Sequence, residues 1–226
     1  MELFAIFAKQ PRPGQAKTRL ADATSPEFAQ AVAEAMLGDT VERFRRLHTN
    51  RAIVYAPLES EAYFKAMAGD GYACVPQTPG DLGARLKQFI DQQQLRGLDR
   101  IIIIGSDSPT LPVEYVEQAF GLLETNDVVI GPAVDGGFYL LGVGATEVPI
   151  FDGMPWSTAG VLDATVARLQ TVSARLSLLP PWYDVDSADD WRMLCGHVRA
   201  MRLAGIDPGV PRVERLMAES EQGAPS

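Results

Sequence analysis

The sequence predicts an open α/β domain, with a mostly parallel, doubly wound sheet and helices on both faces. Three observations carry this. Apolar runs without polar alternation, at Leu3–Ala8 and in the four isoleucines of "RIIIIG", suit strands covered on both faces. Helical patterns separate most of the strands, which is the alternation of a parallel sheet. No internal repeat or Gly/Ser linker interrupts the 226 residues, so one domain is expected over 1–217, followed by a small polar tail over 218–226 that is expected to fray.

Each element has a local reason. Leu3–Ala8 is the first strand. Ser25 as N-cap and Pro26 at the first helical position start a helix in which Phe28, Val32, Met36 and Leu37 recur at helical spacing. "RAIVYAP" reads as a strand, "ESEAYFKAMA" as a helix and "YACVPQ" as a short strand. "DLGARLKQFIDQQQLRG" is helical by composition and stops near Gly97. "RIIIIG" is the strongest strand and is expected at the centre of the sheet. "LPVEYVEQAFGLLET" follows as a helix for which Thr110 is a candidate cap. "DVVIGP" and "FYLLGV" are further strands, and "TAGVLDATVARLQ" is helical. "LSLLPPWYDV" is partly extended, and Ser187 with Asp190 forms a capping box for the helix "SADDWRMLCGHVRAM".

A net charge of −9 argues against a general nucleic-acid binder, which needs a broad basic face. Cys74 and Cys195 are far apart and form no CxxC pair, and with two histidines they make neither a disulfide scaffold nor a zinc site. No apolar run is long enough to span a bilayer and no signal peptide is evident, so a cytoplasmic location is expected.

Against this acidic background the loop after the first strand is basic. Lys9, Arg12, Lys17 and Arg19 lie in a stretch without Asp or Glu, stiffened by Pro11 and Pro13 and hinged at Gly14. In open α/β sheets ligands bind at the carboxyl ends of the strands, where such a loop can grip a diphosphate. Clustered surface cations also occur as plain solvated turns, and taken alone the loop reads either way. Pro11 and Ala16 stand where a P-loop needs glycine, a helix is expected only from Ser25, and there is no GxGxxG.

Acidic residues meet the same edge. Asp107 follows the isoleucine strand, where a lone carboxylate suits Mg²⁺ or Mn²⁺ shared with phosphate oxygens; the plainer reading is that Asp107 or Ser108 caps the next helix. In "WYDVDSADDW", Asp184 and Asp186 fall on one side of an extended segment, and Asp186 is a second candidate ligand or an acid serving the helix N-terminus. Asp135, beside Gly136 and Gly137, can orient or deprotonate an acceptor hydroxyl, or belong to a hairpin turn. Trp156 is a core anchor or a wall for acceptor or sugar.

The ordered set "AKQPRPGQAKTRL", "GDLGARL", "GSDSPTLP", "GPAVDGGFYLLG", "PWSTAGVLDAT" and "DVDSADDW" resembles a family of small bacterial glycosyltransferase-like proteins. These are of the domain-of-unknown-function and arsenosugar-biosynthesis glycosyltransferase type, relatives of the nucleotide-diphospho-sugar transferases with the GT-A fold. The resemblance runs from about Phe4 to about Trp191. It implies a single GT-A-like, Rossmann-like domain in which Lys9, Lys17 and Arg19 hold phosphates and Gly83 and Arg85 lie beside the nucleoside. It also implies that Asp107 and Asp186 hold Mg²⁺ or Mn²⁺. Two departures stand out: Gly105 replaces the first carboxylate of the usual D-x-D, and "DVDSADD" stands where a Thr-Pro is more usual.

The function expected is metal-dependent transfer of a glycosyl group from a nucleotide-diphospho-sugar to the hydroxyl of a small acceptor, with Asp135 as candidate base. The first alternative is a nucleotidyltransferase joining a nucleoside triphosphate to a phosphorylated partner. Such enzymes carry a more glycine-rich first loop, and here Gly14 is the only glycine before Gly38. The second is a nucleotide-binding protein without turnover.

Overall fold

The four isoleucines of the central strand divide between two cores. Ile102 and Ile104 pack on one face of the sheet and Ile101 and Ile103 on the other, so the run has no polar face because neither face meets water. The computed structural model describes residues 1–222. Its strands are β1 (Glu2–Lys9), β2 (Asn50–Ala56), β3 (Ala73–Pro76), β4 (Arg100–Ile104), β5 (Val128–Pro132), β6 (Phe138–Val143) and β7 (Leu176–Leu178). They form one seven-stranded sheet in the order β3-β2-β1-β4-β6-β5-β7. Only β6 runs against its neighbours, antiparallel to both β4 and β5; the other pairs are parallel. The sheet is therefore the single, open, mostly parallel one expected.

The helices are α1 (Thr18–Ala23), α2 (Pro26–Arg43), α3 (Glu61–Ala68), α4 (Leu82–Gln94), α5 (Val113–Leu122), α6 (Val161–Thr171), α7 (Ala188–Leu203) and α8 (Pro211–Gln222). Leu37 and Val41 of α2, Phe64 of α3 and Val116 of α5 cover one face of the sheet, while Leu86 and Phe89 of α4 and Leu169 of α6 cover the other. A third core joins Leu20 of α1, Val32 and Met36 of α2, Trp191 and Leu194 of α7 and Val213 of α8. Helix α2 is thus buried on two sides, and its apolar residues make no single stripe.

Ser25 and the Ser187/Asp190 box cap α2 and α7 as expected. Two local expectations are corrected. A short helix, α1, begins at Thr18, directly after the basic loop, so a helix starts well before Ser25. Thr110 does not cap α5: its hydroxyl is buried against the Tyr183 hydroxyl at 2.8 Å, and α5 starts after Pro112 with no side-chain cap. Helix α8 runs from Pro211 to Gln222 with Val213 and Met217 in the third core, and it includes the start of the tail expected over 218–226, of which residues 223–226 lie outside the described part.

Candidate functional site

The strand order reverses direction between β1 and β4, the central parallel pair, and the loops that leave their carboxyl ends open a crevice there. The loop after β1 turns through Pro13–Gln15, with the Gln15 and Ala16 N–H groups both donating to the Arg12 carbonyl. It then reaches Lys17, which sits in the left-handed region at φ 47°, ψ 54°. This backbone turn brings the Lys17 side chain inward, leaving it 7% exposed.

The Lys17 ammonium meets two carboxylates from distant parts of the chain. Its Nζ lies 2.7 Å from Asp107 Oδ1 and 2.7 Å from Asp186 Oδ1. Arg19 takes the other oxygen of Asp186 at 2.8 Å. Burial opposes the charge on Lys17, but the two carboxylates outweigh it and hold its pKa above the usual lysine value. Neither acid is a helix cap. Ser187 and Asp190 satisfy the start of α7, and Ser108 donates to the Tyr183 carbonyl at 2.8 Å. The Asp186 backbone N–H is itself held by Asp190 Oδ2 at 3.1 Å.

The two acidic segments are fastened together behind the crevice. The Val185 N–H donates to the Asp107 carbonyl at 3.0 Å. Tyr183 OH joins Thr110 Oγ1 at 2.8 Å to His197 Nδ1 at 2.7 Å. Asp184 points into the acidic side of the site. Burial, then the neighbouring carboxylates of Asp135, Asp186 and Asp107, push its pKa up to about 6. Sequence reasoning noticed Asp184 but chose Asp186, and no local signal marks which of the two meets the basic loop.

The crevice is a cleft of about 890 Å³, and its walls include Lys9, Lys17, Arg19, Arg85, Asp107 and Asp186. Lys9 is exposed at the end of β1. Arg85 is oriented by donating to the Gly80 carbonyl at 2.8 Å and to Gln77 Oε1 at 3.3 Å. Gln77 in turn donates to the carbonyls of Ala8 and Val54 at 3.2 and 2.8 Å, which makes it a strut that no local motif marks. Arg12 turns away to pair with Glu59 at 3.3 Å.

Gly83 is buried in the first turn of α4, where a Cβ would lie 2.3 Å from the Phe151 carbonyl oxygen and 2.4 Å from Trp156 Nε1. Trp156 packs edge-on to Phe138 at 6.2 Å, as a core anchor would, and also lines the cleft. Asp135 is exposed in the β5–β6 turn, where its Oδ1 accepts the Gly137 N–H at 2.9 Å. Gly136 there has φ +93°, and a Cβ on it would lie 2.3 Å from the Ala159 carbonyl oxygen. Gly136 thus admits the protein's own backbone, whereas a Cβ on Gly137 would meet Asp135 Oδ1 at 3.2 Å.

Among the described residues no group of three or more His, Cys, Asp or Glu side chains is arranged to hold a metal ion. The Asp107–Asp186 pair is nonetheless a fitting donor set for a hard divalent cation that shares its coordination with phosphate oxygens and water. A cation, the Lys17 ammonium, already lies between the two carboxylates.

Among the described residues no helix is long and apolar enough to cross a membrane. The sheet order, the β1/β4 crevice and the acidic strand ends define the class: the fold of nucleotide-sugar transferases and cytidylyltransferases. Within it, residues 40–158 match the family described as "Uncharacterized protein conserved in bacteria (DUF2064)", and the chain belongs to that family. A protein of Desulfovibrio desulfuricans G20, described as a candidate nucleotide-diphospho-sugar transferase, is 31% identical with a TM-score of 0.88, the match covering 98% of this chain and 95% of that one.

A cytidylyltransferase of Leptospira borgpetersenii serovar Hardjo-bovis shares the fold at 12% identity and a TM-score of 0.59, over 100% and 98% of the two chains. The CMP:2-keto-3-deoxy-manno-octonic acid synthetase complexed with CTP does so at 13% identity and a TM-score of 0.50, over 91% and 99%. No curated protein matches the chain.

Proposed function

We propose that the protein is a glycosyltransferase that takes a nucleotide-diphospho-sugar as donor and passes the glycosyl group to a hydroxyl of a small acceptor in the cytoplasm. The observation that carries this reading is the convergence of Lys17 and Arg19 on Asp107 and Asp186 in a cleft of about 890 Å³ at the switch point of the sheet. Cations and carboxylates in one crevice suit a diphosphate bridged to the protein by a divalent metal. The similarity to the Desulfovibrio protein supports the donor class.

In this reading Lys9, Lys17 and Arg19 hold the phosphates and Arg85 borders the nucleoside, while Gly83, closed off by Phe151 and Trp156, serves only the packing of α4 behind the cleft wall. Asp107 and Asp186 hold Mg²⁺ or Mn²⁺, which when bound supplies charge stabilisation to the departing nucleoside diphosphate. The chain's own cations add to that stabilisation. Asp135 stands on the acceptor side, where its carboxylate takes the acceptor proton in an inverting transfer.

A second reading, nucleotidyl transfer with release of pyrophosphate, is favoured by the four cations on the cleft walls, which suit a triphosphate. One experiment separates the two. The protein is incubated with Mn²⁺ and either a panel of nucleotide-diphospho-sugars with hydroxyl acceptors, water serving where none fits, or a panel of nucleoside triphosphates with sugar phosphates. Release of nucleoside diphosphate from the first panel is expected. Pyrophosphate release from the second, with none of the diphosphate, establishes nucleotidyl transfer instead.

A further inference from the structure

The carboxylates that would hold a metal are paired with the chain's own cations. Asp107 and Asp186 each give one oxygen to the Lys17 ammonium at 2.7 Å, and Asp186 gives its other oxygen to Arg19 at 2.8 Å. Lys17 is not a casual surface partner. Its side chain is 7% exposed, and a left-handed backbone conformation, unusual for a residue with a Cβ, directs it between the two acids. That conformation is fixed by the turn before it and by the Lys17 carbonyl, which accepts the Ala21 N–H at 2.8 Å in the first turn of α1. A divalent cation entering this pair has to displace an ammonium first. A diphosphate entering the cleft offers the ammonium an alternative anion.

We propose that Lys17 is a resident counter-ion that exchanges with the divalent cation: it leaves the Asp107–Asp186 pair for the phosphates as the metal takes its place. Metal and nucleotide then bind as a coupled pair, and the free protein has little affinity for metal. By linkage, each ligand strengthens the other by the same factor. The inference rests on the reading of Asp107 and Asp186 as the metal-holding pair.

The test measures binding of Mn²⁺ alone, by loss of the free-ion electron paramagnetic resonance signal, with no nucleotide and no turnover. Lys17→Met is expected to bind Mn²⁺ at least about 10-fold tighter than the wild type. Lys17→Arg, which keeps the charge, is expected to stay near wild type. Arg19→Gln, at a side chain that is 69% exposed, is expected to gain a smaller factor. Adding Asp107→Asn to Lys17→Met is expected to abolish the gain.

Exchange is overturned if Lys17→Met binds Mn²⁺ no tighter than the wild type. If Lys17→Met does not fold, Arg19→Gln decides by the same criterion. The two ideas fail separately. A Mn²⁺ site that Asp107→Asn removes but neither charge variant tightens leaves the metal pair standing without exchange. Mn²⁺ binding that ignores Asp107→Asn in every background removes the metal pair, and exchange with it.

Discussion

Lys17 and Asp186 are 169 positions apart in the chain, and their side chains are 2.7 Å apart in the fold. This contact ties the loop after β1 to the segment before α7, across the carboxyl edge of the sheet. Because Lys17 is nearly buried, removing one of its acids leaves a charge only half compensated. Asp107 remains, so Asp186→Ala is expected to cost about 1–2 kcal/mol in urea denaturation. Hydrogen exchange of the loop that carries Pro13, Gly14 and Gln15 is expected to speed up with it.

The turn that carries Asp135 depends on a glycine. Gly136→Ala places a Cβ 2.3 Å from the Ala159 carbonyl oxygen at a φ of +93°. Strain and overpacking together are expected to cost about 2–4 kcal/mol. A thermal melt checks this, and a variant as stable as the wild type shows that the loop around Ala159 yields freely.

Helix α8 is held by an acid from another helix. Asp39 of α2, fully buried, accepts the backbone N–H groups of Arg212 and Val213 at 3.1 and 2.9 Å and the Arg212 guanidinium at 3.2 Å. It thereby caps α8 from outside. Asp39→Ala strands those donors and is expected to cost about 3 kcal/mol by urea titration. Limited proteolysis is expected to cut near α8 first.

Acid weakens one edge of the sheet through Asp127. Side-chain and backbone hydrogen bonds from Arg175 pull the Asp127 carboxyl down to about 2. The folded-state value lies below the unfolded one, so this contribution is fully present above about pH 4 and is lost as the pH falls towards 2. Arg175 is 65% exposed, which screens the pair and limits its worth to about 1 kcal/mol. Asp127→Asn is expected to melt lower than the wild type at pH 7, with the gap narrowing below about pH 4 and closing only as the pH falls through about 2.

The sheet was legible because its signals are local. An unbroken run such as Ile101–Ile104 requires two covered faces, and Ser25-Pro26 and Ser187/Asp190 mark helix starts through hydrogen bonds spanning three residues. What stayed hidden is long-range. Thr110 has the residue type of a cap, yet its hydroxyl belongs to Tyr183, which the sequence places 73 positions away. The first-turn N–H groups of helix α8 at Arg212 and Val213 are met by Asp39, 173 and 174 positions away. In the site, Asp107, Asp186 and Lys17 were each singled out by chemistry and strand position. That the ammonium lies between the two acids follows only from the left-handed turn at Lys17 and the tether from Val185 to Asp107.

The central claim is that Asp107 helps this cleft hold a nucleotide diphosphate together with a metal. Thermal shift with UDP, GDP, CDP, ADP and their sugar conjugates, with and without Mn²⁺, tests it on wild type and Asp107→Asn. Binding to the folded state raises the melting temperature by mass action. One base series is expected to stabilise the wild type only when Mn²⁺ is present, and Asp107→Asn is expected to lose that shift. A shift that is indifferent to both Mn²⁺ and Asp107, or no shift with any nucleotide, contradicts the assignment of this cleft.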